Sequence, residues 1–201
     1  MGTMPSERVF EVRGRRVRVK DSLRSYLSIA EMLSDERLEA EDRAALLLPM
    51  AVVNPAGFVE AFGLESFAAL AEVLWEAFGI DLLNEHPGEH GEKVMDWRED
   101  HERIVATVRA AYTLSYEELL DLPYKEAATL VGMAPDGTPM GQALYYRTAE
   151  MPKHVKADKE ASKAYRKLRE HYRLKGGEQG TDAANRAATS EFDALERRFG
   201  R

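Results

Sequence analysis

From Val9 to Val19 apolar and polar residues alternate, VFEVRGRRVRV, on both sides of Arg13-Gly14. A period of two belongs to a strand with one buried face. The pattern predicts a short β-hairpin with Phe10, Val12, Val17 and Val19 matched across it. It is the only strand signal in the chain, and a lone hairpin is marginal in water, so it must lie on helices. Beyond Lys20 the period becomes three and four. Leu23, Tyr26, Leu27, Ile29, Ala30 and Leu33 form a helical stripe behind a cap at Asp21-Ser22. A second helix is predicted from Glu41 to Val53, kinked at Pro49, and a short one after Asn54-Pro55. In that pair a capping side chain precedes a proline, whose missing N–H is no loss at a helix start. Leu64, Phe67, Ala68, Ala71, Leu74, Trp75 and Phe78 recur as the stripe of a stronger helix, closed by Gly79.

Ile80 to Lys93 reads as a loop, with Pro87, Gly88 and Gly91. Asp96, with Glu99 three residues on, matches the reciprocal capping pattern and predicts a helix start there. Its apolar stripe is Ile104, Val105, Val108, Ala111 and Tyr112, and Ser115 with Glu118 repeats the capping pattern. Pro123 opens a helix to about Gly132, Asp136-Gly137 is a turn, and Thr138-Pro139 opens a helix to about Glu150. Pro152 precedes a long charged helix, Lys153 to Lys175. The predicted fold is all-α: an irregular multi-helix body over 1–152 with the N-terminal hairpin, a basic helix over 153–175, and a flexible tail over 176–201 that begins in glycines.

Composition agrees with a helical protein. The chain has 201 residues, 44 % of them hydrophobic and 31 % charged, which suits one sizeable core under long solvated helix faces. The net charge of −7 gives no footprint for duplex DNA or anionic lipid, both of which require positive charge. That charge is uneven: +4 over residues 1–20, −13 over 21–100 and +2 over 101–201. Such asymmetry can steer a partner, and solvated helices also produce it. There is no cysteine, which excludes disulfides, thiolate catalysis and zinc–thiolate sites. The N-terminus lacks the apolar stretch of a signal peptide. The longest apolar run, Ala44 to Val53, is broken by Pro49 and falls short of the roughly 20 residues of a membrane span. A soluble, intracellular protein is expected.

Three places could carry chemistry. His86 and His90 lie four apart, the spacing that puts two imidazoles on one helix face for zinc, but Pro87, Gly88 and Gly91 interrupt any helix there. The bland reading, an acidic loop, is preferred. Asp96, Glu99 and Asp100 form a carboxylate cluster, yet helix starts favour acidic residues through capping and the macrodipole. No nucleophile–base pair and no glycine-rich phosphate loop accompanies them. No catalytic residue, cofactor or metal is therefore expected, and the protein is read as a non-enzyme.

Two places read as binding surfaces. Residues 153–175 carry nine Lys/Arg and three Asp/Glu, with Tyr165, Leu168 and Tyr172 at i, i+3 and i+7 as a stripe that could pack or bind. An acidic protein is the best partner for such a helix, a solvated helix laid on the acidic body the plain alternative, and nucleic acid a distant third. Phe192, Leu195 and Phe199, beyond the linker at Gly176, Gly177 and Gly180, could fold into a partner groove. Alternatively they dock on their own domain or stay disordered.

At Met95-Asp96-Trp97-Arg98-Glu99-Asp100 the sequence resembles a known family. It is similar to the tail assembly chaperones of long-tailed phages and prophages, the gene-product-fifteen type of Gram-positive hosts. There an aspartate–aromatic–x–x–aspartate helix start precedes an isoleucine and a tyrosine, then a Leu-rich helix with an aromatic, then a helix ending in arginine. The matching residues are Asp96, Trp97, Asp100, Ile104, Tyr112, Leu119, Leu120, Tyr124, Leu130 and Arg147, with His171 to Leu174 ending the basic helix. The likeness covers about residues 20–175, and the hairpin and tail find no counterpart in it. It implies a protein without catalysis that binds the tape measure protein, promotes polymerisation of the major tail protein, acts in the host cytoplasm and is absent from the mature virion. Self-association is a further expectation, and no membrane contact is. The other readings of the residues are a nucleic-acid-binding regulator, a generic helical adaptor, and a metal-dependent hydrolase at His86, His90 and Asp96.

Overall fold

The computed structural model describes residues 6–87 and 93–175. They divide into two compact units: residues 6–87 with 117–127, and residues 93–116 with 128–175. The architecture is all-α apart from one N-terminal hairpin. No helix among the described residues is long and apolar enough to cross a membrane. The expected flexible tail over 176–201 lies outside the described residues.

In the first unit, β1 (Arg8–Val12) and β2 (Arg15–Val19) pair antiparallel with Phe10 opposite Val17, Val12 opposite Arg15 and Val19 opposite Arg8. This register puts Phe10, Val12, Val17 and Val19 on one face, and the three valines are buried. Arg13 and Gly14 both have positive φ, 49° and 73°, the backbone of a two-residue turn whose twist matches the strands. The hairpin packs on α4 (Ser66–Phe78), and β2 is extended sideways by the chain after α2: Val53 donates to the Arg18 carbonyl at 3.1 Å.

α1 (Leu23–Leu33) is capped by Ser22, whose hydroxyl accepts the Ser25 amide at 3.2 Å. Its buried face is Leu23, Tyr26, Ile29, Met32 and Leu33. α2 (Ala40–Ala51) runs through Pro49, which falls in its last turn. α3 (Pro55–Phe62) starts behind Asn54, whose side chain accepts the Gly57 amide at 3.1 Å. The predicted helix start at Leu64 is displaced. Residues Gly63–Glu65 form a separate 3₁₀ turn, and Leu64, counted in the apolar stripe, is fully exposed. α4 ends at Gly79 in the left-handed region.

The second unit opens with a turn over 97–100 and α5 (His101–Tyr112). The chain passes into the first unit within α6 (Tyr116–Asp121) and leaves it within α7 (Tyr124–Gly132). Inside the first unit that segment is held at the start of α1: Leu23 donates to the Leu122 carbonyl at 2.9 Å, and Tyr124 to the Asp21 carbonyl at 2.7 Å. The Tyr124 ring stacks on Tyr26 with centroids 4.0 Å apart. Back in the second unit, α8 (Pro139–Thr148) is capped by Thr138 through the Gly141 amide at 3.1 Å. The predicted single charged helix is two. Asp158 has extended backbone and accepts the Glu160 and Ala161 amides, so it ends α9 (Lys153–Ala157) and caps α10 (Lys159–Tyr172). α10 packs on α8 and α9.

Gly141 sits where a Cβ would fall 2.1 Å from the Pro135 carbonyl oxygen, whereas a Cβ on Gly132 meets open space. Gly141→Ala is expected to destabilise the protein by about 1–3 kcal/mol, because backbone must move. Gly132→Ala is expected to be neutral or to add about 0.5–1 kcal/mol through reduced unfolded-state freedom. Urea unfolding of both variants checks the pair; equal effects would contradict the assigned contact.

Candidate functional site

The motif that opens at Asp96 builds a buried polar centre in the second unit. Oδ1 of Asp96 accepts the amides of Arg98 and Glu99, both at 2.8 Å, which shapes the turn before α5. α5 therefore begins at His101, later than the capping pattern predicts. The reciprocal acceptor is also different: the Asp96 amide donates to Oδ2 of Asp100 at 3.1 Å, while a Glu99 carboxylate oxygen accepts the Lys175 amide at 2.8 Å.

Asp100 is fully buried and its carboxylate accepts four hydrogen bonds. Two come from Arg147 in a bidentate fork, at 2.7 and 2.8 Å; one comes from Arg103 at 2.8 Å and one from the Asp96 amide. Four is about the full acceptor capacity of a carboxylate. Arg147 gives two further hydrogen bonds to the carbonyls of Val94, at 2.9 Å, and Tyr172, at 2.5 Å. Five pieces of the unit converge on one ion pair: the segment at Val94, the turn over 97–100, α5, α8 and the end of α10. Burial alone pushes the Asp100 carboxyl up. The Arg147 hydrogen bonds, the Asp96 amide, the Arg147 charge and Arg103 outweigh it and hold the group below the ordinary carboxylate range. Asp96 is likewise lowered, with burial opposed by Lys93 and by the Glu99 and Arg98 amides. No acceptor site on Asp100 is left for a proton-transfer or metal role.

Trp97 is buried. Tyr112 donates its hydroxyl to the Leu130 carbonyl at 2.9 Å, which ties α5 to α7. Leu119 and Leu120 are core residues of the first unit. His86 stacks face to face on Trp75, 3.9 Å between centroids, and its amide donates to the buried Asp81 carboxylate. His90 lies outside the described residues. Among the described residues no three His, Cys, Asp or Glu side chains are grouped to hold a metal ion.

The predicted stripe on α10 separates. Tyr165 is buried, edge-on to Tyr146 at 5.4 Å, with its hydroxyl donating to the Ala149 carbonyl. Burial pushes its phenol up. Tyr172 is half-buried, stacked on Tyr146 at 5.3 Å under the Arg103 guanidinium, and donates to the Gln142 side chain at 3.2 Å. Leu168 is exposed. Phe192, Leu195 and Phe199 lie outside the described residues.

The family described as Bacteriophage Gp15 protein has a sequence model that matches residues 5–174. The chain belongs to that family. No curated protein and no solved structure matches it. The Gp15 match begins before β1, so the hairpin, for which the resemblance gave no counterpart, belongs to the family region. It ends just past α10 and includes the whole Asp100–Arg147 centre. Sequence reading placed Asp100 and Arg147 in one motif without seeing that they touch. Arg103 and the carbonyls that Arg147 holds were missed; the i, i+3 spacing of Asp100 and Arg103 was the one available signal.

Asp100→Asn should cost about 3–5 kcal/mol at neutral pH, because Arg147 is left buried with less than its compensating charge. A carboxyl whose folded pKa is depressed stabilises the fold above its unfolded pKa, about 3.9 for Asp, and that contribution is lost as pH falls through the folded value. The deficit of the variant against wild type should therefore shrink as the solution is acidified below about pH 4. Urea unfolding across pH measures it, and a deficit independent of pH would show that charge is not the cause.

Proposed function

We propose that this Gp15-family protein is a tail assembly chaperone of a phage or prophage. It binds the tape measure protein in the host cytoplasm, promotes assembly of the major tail protein around it, catalyses nothing and leaves before the virion is complete. The observation that carries the reading is the family match from before the hairpin to past α10. Physical character supports it. A tape measure protein is a very long amphipathic helix, and uncovered apolar surface of that size aggregates. A helical scaffold can cover such a helix face to face. Both units present isolated large apolar side chains to solvent: Val59 and Leu64 in the first, Met133, Tyr145 and Leu168 in the second.

In this reading Leu168, together with Phe192, Leu195 and Phe199 of the tail, contacts the partner directly. Tyr165 and Tyr172 act one step back, by fixing α10 on α8. The buried polar centre at Asp100 sets the geometry of that scaffold.

The test is co-expression with the tape measure protein of the same phage. The tape measure protein should move from the insoluble to the soluble fraction and co-purify with this chain. Removal of 181–201 should weaken that co-purification while leaving the unfolding transition in place. A tape measure protein that stays insoluble in the presence of abundant folded chain would sink the proposal.

A further inference from the structure

α10 separates its two sides by charge. Tyr165 is buried on its inner side, and the buried Ser162 lies at the edge between the two sides. On the opposite side Lys159, Lys163, Arg166 and Lys167 stand at i, i+4, i+7 and i+8, and with Lys156 of α9 they line one shallow trough. All five are exposed. Among the described residues the side chain of none of the five makes an ion pair or a hydrogen bond. Elsewhere in the second unit Arg103 and Arg147 pair with Asp100, and Arg173 pairs with Glu170.

Like charges one turn apart destabilise a helix. Lys159–Lys163 and Lys163–Lys167 are such pairs, and Lys163–Arg166 is a third at i, i+3. With Glu160 and Glu170 set against the five cations, the trough still carries a net charge of +3. A partner that brings carboxylates to the same side removes the repulsion and replaces it with attraction. We propose that the outer face of α9–α10 is a docking surface for an acidic helix of a partner protein.

The chemistry of the face selects a protein over a nucleic acid. Glu160 and Glu170 line the same trough, so a uniformly charged phosphate backbone meets a repulsion that a helix of mixed charge avoids by placing basic residues against them. The face carries no aromatic side chain on which bases could stack, because Tyr165 and Tyr172 are turned toward α8. The whole chain is acidic, at −7, which opposes a polyanion of unlimited length. Cations at a three-four repeat match carboxylates at the same repeat on a second helix, as charged flanks do in paired helices. The two glutamates then match basic residues on that partner. The charge of this face stands whether or not the partner is a tape measure protein.

The experiment uses the full-length protein and two synthetic amphipathic helical peptides of equal length, one with a glutamate face and one with a lysine face, plus mixed-sequence single-stranded and duplex oligonucleotides. Fluorescence anisotropy should show binding of the glutamate-face peptide, weakened by added salt, while any binding of the lysine-face peptide to this acidic chain is not weakened by the substitutions on α10. Lys163→Glu combined with Arg166→Glu should weaken it about tenfold or more. Lys163→Arg combined with Lys167→Arg should retain it, and Lys163→Gln combined with Arg166→Gln should fall between. Far-UV circular dichroism should be unchanged in all three, since the side chains are exposed. The proposal is overturned by no binding of the glutamate-face peptide to wild type, by unchanged affinity on charge reversal, or by tighter binding of either oligonucleotide.

Discussion

The second unit is organised around the pairing of Asp100 with Arg147. A carboxylate with no exposure to water is tolerable only when its charge and its lone pairs are all answered, and here a bidentate arginine, a second arginine and a backbone amide do so. The demand is mutual. Arg147 is nearly buried and turns two further donors to backbone carbonyls far apart in sequence. Each partner thus fixes a different set of elements, and the pair cannot form unless α5, α8, the turn before α5 and the end of α10 are all in place. A buried ion pair adds little stability over a well-packed apolar substitute, but breaking it is costly, so its effect is to penalise other arrangements.

From that centre the outer surface follows. The Tyr172 carbonyl is an acceptor for Arg147, and the Tyr172 ring stacks on Tyr146 and meets the Arg103 guanidinium. Tyr165 adds a second aromatic contact with α8. With its tyrosines committed inward, α10 must turn Lys159, Lys163, Arg166 and Lys167 outward. The family motif and the charged face are linked in this way: the first holds the helix whose outer side carries the second.

The first unit is built by local rules to a greater degree. Ser22, Asn54 and Gly79 sit at helix ends with the backbone and side-chain geometry their residue types favour. Arg13-Gly14 turns the hairpin, and the period-two pattern puts its three valines into the core. Tertiary contact appears where the chain returns through α6 and α7. The amides of Leu23 and Tyr124 then find carbonyls from distant segments.

Sequence by itself determined the element types, the caps at Ser22, Asn54 and Thr138, the hairpin and its buried face, and the presence of Asp96, Asp100 and Arg147 in one family motif. These depend on neighbours within about one helical turn, or on a period that survives any packing. Tertiary structure decided the rest. It brought the Asp100 carboxylate, just ahead of the start of α5 at His101, against Arg147 of α8. It exposed Leu64 in a 3₁₀ turn and drew His86 onto Trp75. It also divided the α10 stripe, burying Tyr165 and leaving Leu168 in water, since α8 covers only part of that face. Periodicity reports that a helix has an apolar side; which residues of that side meet a neighbour depends on where the neighbour lies, and pairing over 47 residues of chain leaves no local trace.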